Sequence, residues 1–121
     1  MFYWARKALI LYVQKFVKLA YVMYNTVMKH QQKVIKSGTW LYNGQVEKFV
    51  QIIKQNWDYY YDEGYDTDPP DLNEAGDAYY IVYDGPDEQG RYYPQSKTCL
   101  SLQEAIRLAE ETIVGDICWL S

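Results

Sequence analysis

Polar positions recur at helical spacing through the first third of the chain. At 100° per residue, Lys7, Gln14, Lys18, Asn25, Lys29, Gln32 and Lys36 fall in one narrow stripe. Tyr12, Val13, Phe16, Val17, Leu19, Tyr24, Val27, Val34, Ile35 and other apolar residues fill the remaining arc. The pattern predicts a long amphipathic helix over residues 1–36, ended by Ser37 and Gly38. Its apolar sector covers about 200°, whereas a surface helix needs only about 100°. More than one neighbour must then cover it: the domain's own sheet, a second copy of the chain, a partner protein or a bilayer interface. Lys15 and Lys18 interrupt the apolar stretches, so a membrane-spanning helix is disfavoured.

After residue 38 the period changes. Residues 39–46 read as strand, a two-residue Asn43-Gly44 turn and a second strand, because both central positions of a type I′ turn need positive φ. In the run 46–57, Val46, Phe49, Val50, Ile53 and Trp57 also fit a helical face, but β-branched and aromatic content favours a strand. Residues 62–77 hold Gly64, Pro69, Pro70 and Gly76 among many carboxylates and read as a mobile acidic loop. An aromatic strand is expected over 78–83, followed by a hairpin-type connection to Arg91-Tyr92-Tyr93. Pro94 makes that strand an edge, interrupts it, or delays its resumption to residues 97–99. Ser101-Leu102-Gln103-Glu104 is a capping box. It opens a helix whose buried stripe is Leu102, Ala105, Ile106, Ala109 and Ile113, with Gly115 at the left-handed position beyond its end. A short strand over 116–120 completes the chain. The expected fold is α+β: a long N-terminal amphipathic helix, about four antiparallel strands, and a C-terminal helix packed on the sheet.

The 121 residues suit one domain, with the basic helix 1–36 attached to an acidic body 37–121. Residues 1–36 carry seven basic side chains and no acidic one, a net charge of +7; the remainder holds five basic and all 16 acidic residues, a net −11. Tyrosine is the unusual residue type, with 14 copies concentrated in runs such as Tyr59-Tyr60-Tyr61, Tyr79-Tyr80 and Tyr92-Tyr93. A tyrosine has a large apolar body and a hydroxyl that seeks a partner, so it suits half-buried strands and recognition surfaces alike. Cys99 and Cys118 are expected to be reduced, buried small hydrophobes, which together with the absence of a signal peptide motif points to the cytoplasm.

Little in the sequence carries catalytic chemistry. His30 is the one histidine and sits among lysines, without the spacing of a metal site or a hydrolytic triad. No glycine pattern forms a phosphate cradle. An EF-hand started at Asp71 would need an oxygen ligand at Ala75 and a closing glutamate at Val82; one started at Asp66 would need glycine at Asp71. No metal or cofactor is therefore expected. Nucleic acid is disfavoured because the acidic body repels phosphate.

What remains is binding. The expected function is a non-enzymatic protein-binding module whose acidic, tyrosine-rich surface docks on a basic protein, as an inhibitor or toxin-neutralising, immunity-like protein would. The residues expected to meet the partner are Asp58, Tyr60, Asp62, Glu63, Tyr65, Asp66, Asp68 and Asp71. Two alternatives are a peripheral membrane protein anchored by helix 1–36 and a homo-oligomeric structural protein that buries this helix between copies.

Overall fold

The computed structural model describes Lys15 and residues 30–120. Of the helix expected over residues 1–36, residues 1–14 and 16–29 lie outside the described residues. The described body has four strands, β1 (Gln32–Tyr42), β2 (Val46–Gln55), β3 (Ala78–Val82) and β4 (Cys118–Trp119), and two helices, α1 (Tyr59–Asp62) and α2 (Leu102–Thr112). The strands form one antiparallel sheet in the order β3-β2-β1-β4.

Two features of the predicted N-terminal helix are corrected. Gln32 and Lys36 do not lie on a helical stripe, and Ser37 and Gly38 do not end a helix; all four belong to β1, opposite Gln55, Ile52, Gln51 and Val50 of β2. The reason is tertiary. The Gln32 side chain donates to Gln55 Oε1 at 3.0 Å and to the Tyr92 carbonyl at 2.7 Å, and accepts from the Tyr92 amide at 2.9 Å. A register shift between Val34 and Lys36 inserts a bulge. Val34 and Ile35, as consecutive strand residues, pack into different apolar clusters on the two faces of the sheet.

The Asn43-Gly44 hairpin forms as its residues demand. Asn43 (φ 54°) and Gly44 (φ 69°) are both left-handed, and the Gln45 amide donates to the Tyr42 carbonyl at 3.0 Å. Tyr42 lies opposite Val46, so three residues separate the paired positions where the sequence suggested two. The run from Val46 is a strand, as its β-branched content indicates.

The two faces of the sheet are covered differently. On one, Ala105 and Ala109 of α2 and Ile113 just past its end pack against Val50, Ile52, Ile81 and Cys99. Ser101 caps α2 by accepting from the Glu104 amide at 3.1 Å, and the Glu104 carboxylate reaches back to the Leu100 amide, also at 3.1 Å. On the other face, Ile53, Ala78, Tyr80 and Val82 are roofed by Val34, Tyr59, Tyr60, Leu72 and Tyr92. Edge-on ring contacts join Tyr59 to Tyr60 (5.3 Å) and Tyr60 to Tyr80 (6.2 Å). Tyrosines and irregular chain thus stand where many α+β domains place a second helix layer.

Residues 91–93 form no strand. Beyond Pro94 the chain follows β3 closely, and side chains replace part of the missing ladder. The Ile81 amide donates to Ser96 Oγ at 2.9 Å, and Gln95 Oε1 accepts from the Tyr83 and Asp84 amides at 2.5 and 3.0 Å. Main-chain bonds to β3 are the Gln95 amide to the Ile81 carbonyl at 2.9 Å and the pair that forms the bridge Tyr79–Cys99. The outer edge of β3 is thereby covered against pairing with other chains.

Candidate functional site

The expected partner surface begins where β2 ends, and Asp58 organises it. This carboxylate is 3% exposed. Its Oδ1 accepts from the Tyr60 amide at 3.1 Å, the Tyr61 amide at 3.4 Å and the Tyr80 hydroxyl at 3.4 Å, and its Oδ2 accepts from the Asp71 amide at 2.9 Å. Asp58 therefore caps α1, fastens the far side of the loop and ties both to the core strand β3. Tyr80 is fully buried, and removing its hydroxyl from water pushes its pKa up to about 12. Tyr60 is half-buried and donates to the Ser96 carbonyl at 2.5 Å; its pKa too is raised, first by burial and then by the neighbouring Tyr59 and Asp58.

Asp58 and Tyr60 accordingly belong to the frame and not to the exposed surface expected of them. The other expected residues do reach solvent. Asp62, Glu63, Tyr65, Asp68 and Asp71 are exposed and Asp66 is partly so, with Tyr65 the most open at 75%. Tyr61, absent from the expected set, joins them at 45% exposure. The run 59–61 thus divides by its helical turn, two rings inward and one outward. Arg91 approaches from the next loop, its guanidinium 3.3 Å from Glu63 and 5.0 Å from the centre of the Tyr93 ring. Neighbouring Asp87 accepts from the Arg91 amide, which lowers its pKa, and from the Tyr93 hydroxyl.

Oxygens of Asp58, Asp66 and Asp71 also lie within 4.8 Å of one another, a spacing that could hold a cation. Both Asp58 oxygens, however, already accept protein donors.

A second surface, made by residues that the sequence did not single out, lies at the other end of the sheet. β4 pairs only with Gly38 and Thr39, so among the described residues the edge of β1 beyond Thr39 has no strand beside it. There the chain leaving α2 diverges from β1 and opens a cleft of about 1110 Å³. Its apolar wall includes Trp40, Tyr42, Tyr83, Ile113 and Val114, its acidic members are Glu47 and Asp116, and among the described residues no lysine or arginine lines it. Trp40 and Tyr42 meet edge-on at 6.1 Å, and the buried Trp40 indole N–H has no acceptor among the described residues. Val114 is 88% exposed.

The two thiols differ. Cys99 is buried, and burial pushes its pKa up to about 11, whereas Cys118 is exposed, contrary to the expectation that both are buried. At pH 8 roughly one Cys99 thiol in a thousand would be ionised. Ellman's reagent should therefore modify one thiol per native chain quickly, with Cys118→Ser abolishing that phase and the second thiol reacting only on unfolding. Two fast thiols would contradict the placement of Cys99.

No family model, no curated protein and no solved structure matches this chain. Among the described residues no helix is long and apolar enough to cross a membrane.

Proposed function

We propose that this domain is a protein-binding module that docks its acidic, tyrosine-bearing loop on a basic protein. One observation carries the reading: the exposed carboxylates of Asp62, Glu63, Asp68 and Asp71 and the exposed rings of Tyr61 and Tyr65 sit on a loop pinned at both ends by the buried Asp58. A pinned loop loses less conformational entropy on binding than a free one, so more of the contact energy appears as affinity. The carboxylates attract a cationic surface at long range, and the two rings supply contact area at little rotamer cost. A neutralising role against a basic enzyme or toxin fits this size and charge.

Immobilised protein should retain basic proteins at about 50 mM salt and release them near 500 mM, where the Debye length falls from about 14 to about 4 Å. The quadruple variant D62N/E63Q/D68N/D71N leaves Asp58 intact and should slow association with the retained protein at least about tenfold at low salt. Equal rates for the variant and the parent chain would remove the reading.

A further inference from the structure

We propose that the cleft beside β1 is a second docking surface, and that its occupant is an extended basic segment of a partner protein. This rests on the reading that the domain binds a basic protein, and it adds a separate site. β2 runs ten residues between the two surfaces, which puts them about 30 Å apart at the usual rise per residue. A compact contact with the loop therefore does not also fill the cleft.

Three observations select the occupant. The first is the main chain: the edge of β1 at Trp40, Leu41 and Tyr42 has no described partner strand, and an unpaired edge offers amides and carbonyls at the spacing of another extended chain. The second is charge. Glu47 and Asp116 lie on the cleft and, among the described residues, no cationic side chain does, so a segment bearing arginine or lysine is favoured over an acidic or neutral one. The third is the aromatic wall of Trp40, Tyr42 and Tyr83, against which the aliphatic stem of arginine or lysine packs while its charge faces the rings and carboxylates. Size agrees, since about 1110 Å³ exceeds the roughly 300–1,000 Å³ of small-molecule sites.

The test titrates the ¹⁵N-labelled full chain with an end-blocked heptapeptide alternating valine and arginine, up to about 1 mM, the weak end of peptide affinities. Resonances of the Trp40 indole and of the amides of residues 40–42 and 114–116 should shift. E47Q/D116N, at two exposed positions, should weaken binding at least about fivefold, and a twin peptide with glutamate for arginine should not bind. D62N/E63Q/D68N/D71N should leave peptide binding at the cleft within about twofold, because the loop carboxylates lie several Debye lengths away. Shifts confined to residues 62–77, equal binding of the twin peptide, no shifts at all, or dimerisation through this edge in sedimentation would each overturn the cleft proposal. If the cleft stays silent while the loop variant still slows association with a basic protein, the cleft proposal falls and the loop reading stands.

Discussion

Asp58→Ala is expected to destabilise the domain by about 3 kcal/mol, the largest effect of any single acidic residue in the described body. Loss of the cap at the Tyr60 and Tyr61 amides costs about 1 kcal/mol by analogy with other N-caps. The rest comes from the Asp71 amide and the Tyr80 hydroxyl, which lose an acceptor at partly or fully buried positions, at about 1 kcal/mol or more each. Against a typical total stability of about 5–15 kcal/mol, such a loss moves a urea midpoint well outside error. Asp58→Asn should recover part of it, because the amide keeps one acceptor oxygen for the cap but turns an N–H₂ toward the Asp71 amide or the cap. Hydrogen exchange should localise the damage, with the Asp71 amide losing protection first. A change below about 1 kcal/mol in the alanine variant would show that the carboxylate is not the fastener of the loop.

Asp58 also marks how far the sequence could be read. Features whose partners are close along the chain were legible: the left-handed Asn43-Gly44 turn, the Ser101/Glu104 capping box, and the stripe of Ala105 and Ala109 that α2 buries, continued by Ile113 at its end. Asp58 stood out only as one carboxylate among many, because two of its donors arrive from 13 and 22 residues away. The same distance problem misplaced Gln32 and Lys36. Their spacing fits a helix, but Gln32 is held by Gln55 and Tyr92, 23 and 60 positions on, and tertiary contacts outweigh local pattern. The loop that reads as mobile is instead fastened to the core by the carboxylate of Asp58, which precedes it in the chain.

The candidate surfaces divide along the same line. Exposed carboxylates and tyrosines of the loop could be named from composition, though not which of Tyr59, Tyr60 and Tyr61 faces outward. The cleft could not be named at all. Its walls come from residues 39–44 and 112–118, with Glu47 and Tyr83, and the two segments meet because β4 pairs back onto β1 after α2. Each wall by itself reads as an ordinary hairpin or helix end.

Gly38 holds that closure, and Gly38→Val is expected to cost about 2–3 kcal/mol and to release β4 before the rest of the sheet. Its backbone is not left-handed, so the glycine is required by space. A Cβ there would lie 2.9 Å from Ile117 Cγ2, 2.9 Å from Trp119 Cε3 and 3.0 Å from the Cys118 carbonyl oxygen. Two of these belong to side chains packed on the Val50, Ile81, Ala109 and Ile113 cluster, and the third is main chain, so none can retreat freely. Alanine should cost less, about 1–2 kcal/mol, because its single methyl meets the same atoms while the unfolded chain loses some glycine freedom. In the valine variant β4 should give way locally. The Leu120 amide, which donates to the Ser37 carbonyl at 2.8 Å, should exchange early, and the Trp119 indole should lose its 3.1 Å contact with Glu110. The central amides of β2 should keep the protection of the parent chain after correction for global stability. Equal acceleration throughout the sheet would mean that β4 and the core unfold together, and that the cleft has no independently opening wall.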